Sequence, residues 1–285
     1  MSGERQRITS YSRDGLTFDV TDQGPLDGDV VILLHGFPQT SRCWARLAPL
    51  LHAAGYRTLA PDQRGYSPRA RPRGRLAYRL SALVGDVVAL IDTANAGRVH
   101  VVGHDWGAAV AWTLAATRPD ALATVTALSV AHPAAFLRAM FTSRQFLRSW
   151  YMFAFQPPWL PEAVLRRIAR RSRPRLLAGL SVAGLEDDAA RDVAVLEAGG
   201  LTPALHWYRA MPFNPPGRLA PVTVPTLFVN SDADPALGPE AAALTARHVS
   251  GPYTAHTLRG VGHWIPQQSA DDVAALLIPH LNAHR

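Results

Sequence analysis

Unbroken apolar runs alternate with stretches of helical period along the first half of the chain. Residues 30–34 are a continuous run of valine, isoleucine and leucine, the pattern of a strand covered on both faces. Residues 57–60, closed by Pro61 and Asp62, predict a shorter strand. Residues 81–91 carry apolar side chains at helical spacing, with Ser81 as the candidate N-cap. Residues 99–102 predict a strand that runs directly into Gly103-His104-Asp105-Trp106-Gly107. After that turn, residues 108–116 read as a small-residue helix able to pack close to a sheet, and 124–128 as the next strand. Strands separated by helices imply parallel βαβ units, with binding sites at the carboxyl ends of the strands.

The pattern changes at Pro133. From there to Pro216 the chain is rich in aromatics, arginine and proline, reads as short helices and shows no clear buried strand. Alternation resumes with a strand at 225–230, a helix at 239–247, a strand at 253–258 and a helix at 271–282. The expected architecture is an α/β core of residues 1–132 and 217–285, interrupted by a helical cap of residues 133–216. A pocket is expected between the two.

Composition narrows the class without naming a chemistry. The chain has 285 residues and a formal charge of +7, and every strong base is arginine. Arginines cluster at 69, 71, 73 and 75 and at 166, 167, 170, 171, 173 and 175. No aromatic-interleaved or helix-turn-helix pattern accompanies them, so they are expected to be solvated faces rather than a nucleic-acid or membrane patch. The polar start carries no secretory h-region, and no apolar stretch is long enough to span a bilayer. The single cysteine, Cys43, has no internal disulfide partner. A cytoplasmic setting is expected, and the arginine-only, alanine-rich usage suggests a high-GC bacterial source, compatible with detoxification or secondary metabolism.

The candidate chemistry lies at Asp105. A glycine-flanked turn between an apolar strand and a small-residue helix is the context of a nucleophile elbow, where a strained turn lifts one side chain above the sheet edge. Serine at such a turn suits acyl transfer. Serine attack on a saturated carbon would leave an ether that water does not readily cleave, whereas carboxylate attack leaves a hydrolysable ester. A carboxylate of unperturbed pKa about 3.9 is ionised near neutral pH and needs no base for that first step. Asp105 therefore predicts displacement at an sp³ carbon.

Taken together, these segments resemble the α/β-hydrolase superfamily, and within it the epoxide hydrolases, which are related to the haloalkane dehalogenases. His35-Gly36-Phe37-Pro38 resembles the family's oxyanion loop, Asp62-Gln63-Arg64-Gly65-Tyr66-Ser67 the loop after its fourth strand, and Gly103 to Gly107 the elbow. Gly262-His263-Trp264 resembles the motif of the catalytic histidine. The resemblance implies Asp234 as the acid that orients His263, with Asp232 as the runner-up. The loop after Leu128 offers Ser129 and His132 but no carboxylate. Backbone N–H groups of Phe37 and Trp106 would form the oxyanion hole. His35, Pro38, Trp150 and Trp207 are expected around the pocket, with His35 bracing the loop rather than reacting. His104 should point away from it, and Trp44 is expected to be a pocket or packing aromatic.

The elbow aspartate is shared with dehalogenases, so the leaving group must decide. Dehalogenases usually carry asparagine or glutamate where this chain has Phe37, which offers no halide donor. An opening epoxide develops an alkoxide that benefits from a proton, and a tyrosine of pKa about 10 is a suitable acid. Ser149-Trp150-Tyr151 with Phe155-Gln156-Pro157, and His206-Trp207-Tyr208-Arg209, resemble the two cap segments that supply ring-opening tyrosines. They map to Tyr151 and Tyr208. The expected activity is hydrolysis of an epoxide to a vicinal diol, with no cofactor and no metal. The substrate is expected to be apolar or polycyclic, and a homodimer is possible. A haloalkane dehalogenase, and a ligand-binding biosynthetic protein of low turnover, are the alternatives.

Overall fold

The structure is a computed structural model that describes residues 6–171, 185–214 and 219–285. Its strands are β1 (Ser10–Arg13), β2 (Leu16–Gln23), β3 (Val30–Leu34), β4 (Arg57–Pro61), β5 (Val99–His104), β6 (Leu122–Leu128), β7 (Thr226–Ser231) and β8 (Tyr253–Leu258). They form one 8-stranded sheet in the order β1-β2-β4-β3-β5-β6-β7-β8. β1 and β2, and β2 and β4, are antiparallel; every other pairing is parallel. The parallel βαβ units are those expected from the alternation, and the whole is the α/β-hydrolase fold that the resemblance implied.

All residues of β3 and β5 are buried, which is why they read as unbroken apolar runs. Alternate side chains serve opposite faces. Ile32, Leu34 and Val101 join one core with Val87 and Leu90 of helix α2 (Leu80–Ala94) and Ala108 and Ala111 of α3 (Trp106–Thr117). Val31, Leu33 and Val102 join a second core with Leu47, Leu51 and the helix Ala270–Asn282. Each fully buried valine or leucine contributes about 1.5–3 kcal/mol, so the central strands are the rigid part of the molecule.

β3 pairs with β4 on one side and β5 on the other. The winding direction therefore reverses between β3 and β5, and the crevice beyond their carboxyl ends is where open α/β sheets bind ligands. The loop from His35 and the turn at Asp105 both leave from there.

Ser81 does not cap α2. The helix begins at Leu80, and the Leu80 N–H donates to Oδ1 of Asn214 at 2.9 Å. A distant side chain thus takes the role expected of Ser81, which lies inside the first turn.

Between β6 and β7 the described chain is helical: α4 (Pro133–Thr142), α5 (Gln145–Arg148), α6 (Trp150–Ala154), α7 (Leu160–Arg171), then Glu186–Val195 and Leu201–Arg209. α4 packs against the core helix Pro239–Thr245, so the first helix of this segment lies on the core. The expected boundary near residue 216 falls outside the described residues. The later helices reach the core through specific bonds. The Trp207 indole donates to the Arg64 carbonyl at 2.8 Å, Gln267 to Asp188 at 2.9 Å, and Arg71 to the Ala198 carbonyl at 2.9 Å. Arg71 is thus a bridge and not a solvated charge. Arg75 lies 5.0 Å from the Phe213 ring centroid and Arg69 3.2 Å from Asp19. Arg166, Arg167, Arg170 and Arg171 are exposed on α7, and Arg173 and Arg175 lie outside the described residues.

Candidate active site

β5 hands the chain to α3 through Asp105, whose φ of 53° and ψ of −121° lie in a region few non-glycine residues adopt. Close packing explains the glycines around it. A Cβ at Gly103 would overlap the Gly107 backbone, one at Gly107 would overlap the Leu34 backbone, and one at Gly36 would overlap the Asp105 carboxylate. The turn and the loop after β3 therefore press together, with the carboxylate between them.

The two oxygens of Asp105 have different surroundings. Oδ1 accepts the Phe37 N–H at 2.8 Å, and the Trp106 N–H also bonds to the carboxylate. Oδ2 lies 3.5 Å from Nε2 of His263. His263 Nδ1 is 2.7 Å from Oδ2 of Asp234. The other Asp234 oxygen accepts the N–H groups of Ala236 at 2.8 Å and Leu237 at 3.1 Å, which locks its plane. Asp232 is exposed and accepts the Gly260 N–H at 2.7 Å, the geometry of a turn aspartate.

Charge in this site is strongly coupled. Burial opposes ionisation of Asp105 and Asp234, but the His263 contact outweighs it and both carboxyls are held below the usual range. Burial likewise opposes the His263 charge, yet Asp234 and Asp105 together push it up to about 10. Burial and the neighbouring His263 charge drop His104 to about 4. His104 points away from the carboxylate: its Nε2 is 2.8 Å from the His263 carbonyl, which also accepts the Ser129 hydroxyl at 3.0 Å.

Tyr151 and Tyr208 stand over the site with rings 6.0 Å apart. Burial and then the Asp105 charge raise both phenols, so they stay protonated. Tyr208 packs edge-on against Phe37 at 5.3 Å and Trp106 at 5.2 Å, and its hydroxyl is in hydrogen-bond contact with the Trp106 side chain. Phe155 completes this wall, 5.1 Å from the Tyr208 ring and 5.9 Å from those of Phe37 and Tyr151.

Some expected pocket residues lie elsewhere. His35 is fully buried, its Nδ1 3.0 Å from the Gly36 carbonyl and its Nε2 accepting the Gln63 N–H at 3.1 Å. Both nitrogens are engaged, so it braces the loop and offers a ligand nothing. Trp150 is 66% exposed, because α6 turns Tyr151 inward and its neighbour outward. Trp207 is buried one layer back, packed on Trp106 at 5.8 Å with its N–H on the Arg64 carbonyl. Trp44 is buried in the second core. Pro38 is buried and, with Gln39, Trp264 and Gln267, faces Leu185, Asp188 and Asp192 of the helical segment in a small cavity.

Several groups that support the site were assigned no role from the sequence. Gln39 contacts His104 Nδ1 at 3.1 Å and donates to Gln267, which continues to Asp188. Gln156 donates to the Tyr208 carbonyl at 2.9 Å. Arg209 forms a two-pronged ion pair with Glu162 and donates to the Phe155 and Pro157 carbonyls at 3.0 and 2.8 Å. Gln156 and Arg209 lie within the two cap segments noted for their tyrosines, Gln39 and Gln267 in no motif; each acts through backbone or partners distant in sequence. Among the described residues no group of three or more metal-ligating side chains is gathered.

Comparison with known proteins gives a consistent result. A model described as alpha/beta hydrolase family matches residues 31–276. The chain is 34% identical to epoxide hydrolase A of Mycobacterium tuberculosis over 94% of this chain and 95% of that protein. Its fold is similar to the crystal structure of epoxide hydrolase A from Mycobacterium thermoresistibile, with a TM-score of 0.83 and 30% identity over 97% of this chain and 98% of that one. An epoxide hydrolase from an endophytic Streptomyces aligns with a TM-score of 0.80 and 30% identity, covering 97% of this chain and 96% of that one.

Proposed function

The chain belongs to the alpha/beta hydrolase family, among its epoxide hydrolases, and from that premise we propose that Asp105 opens an epoxide through an ester that His263 then hydrolyses. The observation that carries this reading is the division of the Asp105 carboxylate. Oδ1 sits on the Phe37 N–H, while Oδ2 faces His263 and stands as the nucleophile.

The epoxide binds with its oxygen at the hydroxyls of Tyr151 and Tyr208. Oδ2 attacks one ring carbon, the ring C–O bond breaks, and the departing oxygen takes a phenolic proton. A hydroxyalkyl ester of Asp105 results. Negative charge leaves the carboxylate in this step, and with it one of the two charges that hold the proton on His263. The imidazole gives up that proton through solvent as the phenolate regains one, and then serves as base. It takes a proton from water, the resulting hydroxide attacks Cγ, and charge collects on Oδ1 at the Phe37 and Trp106 N–H groups. Loss of one such donor typically reduces rate by about 10²–10³. Collapse breaks the Cγ–Oδ2 bond as the imidazolium returns its proton to Oδ2, releasing a vicinal diol that carries Oδ2 and a carboxyl that ionises again beside His263. Asp105, Asp234, His263, Tyr151 and Tyr208 thus act as a unit under the helical cap, and the aromatic wall favours an apolar substrate.

Halide release fits less well. The Trp106 side chain is engaged with the Tyr208 hydroxyl, and Phe37 offers its ring, not a donor, to the pocket wall. The test is intact mass of a His263→Gln variant after brief exposure to mixed epoxides and haloalkanes. Without the base the ester stalls, so an adduct of one whole epoxide is expected, absent when Asp105 is also changed. An alkyl adduct lacking its halogen would reassign the chain as a dehalogenase, and no adduct with any epoxide that the parent turns over would exclude the ester.

A further inference from the structure

The chemistry leaves unused a broad part of the outer surface of α4 to α7. Phe141, Trp159, Leu147 and Trp150 are 82%, 74%, 67% and 66% exposed. Phe146 and Phe153 are half exposed beside them, their rings 5.3 Å apart. Helical spacing collects these side chains: Phe146, Trp150 and Phe153 recur at i, i+4 and i+7 along α5 and α6, and Leu160, Val164 and Ile168 at i, i+4 and i+8 along α7. Single exposed apolar residues are ordinary, but so many large ones along four successive helices, two of them in ring contact, mark an interaction surface.

Charge identifies the partner. Arg144, Arg166, Arg167, Arg170 and Arg171 are all exposed in the same stretch, whereas Arg148 donates to the Asp234 carbonyl of the core at 3.0 Å. Glu162, the acid among residues 133–171, is buried in its ion pair with Arg209. A second copy docking by this same face would set arginine against arginine. A bilayer with anionic headgroups instead receives the rings at the acyl boundary and the guanidinium groups at its phosphates. No helix among the described residues is long and apolar enough to cross a membrane, so such contact lies along the surface. The sequence pattern alone suggested solvated arginine faces; the exposed aromatics between them change that reading. We propose that the outer face of α5, α6 and α7 docks on an anionic lipid surface, with Tyr151 on the opposite, inward side of α6.

Co-sedimentation with phosphatidylcholine vesicles, with and without phosphatidylglycerol, tests this at low and high salt. Binding is expected to the anionic vesicles and to weaken with salt. The pair Arg166→Gln and Arg167→Gln should weaken it roughly 25-fold, from about 1 kcal/mol per arginine at such a surface. The triple change Phe141→Ser, Leu147→Ser and Trp159→Ser should abolish it while leaving the thermal transition intact. Equal binding to neutral vesicles, no binding to either, or binding indifferent to the apolar changes would overturn the proposal. A dimer in sedimentation velocity that the triple change dissolves would also overturn it and assign the face to self-association.

Discussion

Tyr151 and Tyr208 share one electrostatic circumstance: Tyr208 is buried and Tyr151 partly so, and each feels the Asp105 charge. Both effects raise a phenol's pKa, which keeps the proton in place before reaction. In the proposed reaction, transfer of the carboxylate's charge to the epoxide oxygen reverses the second effect at the moment a proton is needed. Positioned acids of this kind contribute about 10²–10⁴ in rate. Tyr151→Phe or Tyr208→Phe alone should therefore slow ester formation on the order of 10-fold to 100-fold, since one hydroxyl remains, and both together should approach the full loss. Stopped-flow quenching of tryptophan fluorescence separates this step from ester hydrolysis, and an unchanged alkylation rate in the double variant would remove both tyrosines from the chemistry. At this scale much of the site was legible: Asp105, Asp234, His263 and the two tyrosines, named from their motifs, do lie together. Trp150 was misplaced because aromatic identity in a motif does not say which side of a short helix faces inward. Gln39 and Gln267 were invisible because neutral amides carry no spacing rule.

The helix Leu201–Arg209 and the turn after α6 hold the tyrosines, and neither element is fixed by its own propensity. Arg209 ties them together through the Phe155 and Pro157 carbonyls, and Glu162 of α7 supplies its countercharge. Removing one partner of a buried pair leaves the other unpaired and costs about 3–5 kcal/mol. Glu162→Gln should lower the melting temperature and, more specifically, slow ester formation while the hydrolysis step keeps its rate. Equal slowing of both steps, or of neither, would show that the clamp does not set the tyrosines. Burial made the central strands legible, although the largely exposed β8 was read as well. β3 and β5, covered on both faces, announced themselves as apolar runs. β1 and β2 did not, because their mixed burial and half-polar pattern look like a loop until β2 is paired with β4. The start of α2 was missed because its capping group, Asn214, lies far along the chain.

For the whole molecule, the contact between helical segment and core has a titratable weak point. Asp192 is buried against the core, and one of its oxygens has no hydrogen-bond partner. Burial first, then the charges of Asp188 and Asp62, push its carboxyl up to about 7 against the opposing pull of Arg191 and a hydrogen bond from Thr40. An unfolded aspartate loses its proton near pH 3.9. Between that pH and about 7 the folded state holds a proton that the unfolded state has released, so stability falls as pH rises through this window. At pH 8 the ionised group is buried beside two other carboxylates and disfavours the closed arrangement. Asp192→Asn keeps the shape, removes the charge and should stabilise the protein at pH 8 by on the order of 4 kcal/mol. A change of that size raises the melting temperature several degrees. Near pH 4 the parent's Asp192 is already protonated, and the two proteins should melt together. Parallel melting curves across this range decide the matter. A gain equal at both pH values would trace to packing, and none at either would mean that Asp192 is solvated in the folded state. The gain confined to high pH is the signature of a buried carboxyl at the seam between segment and core.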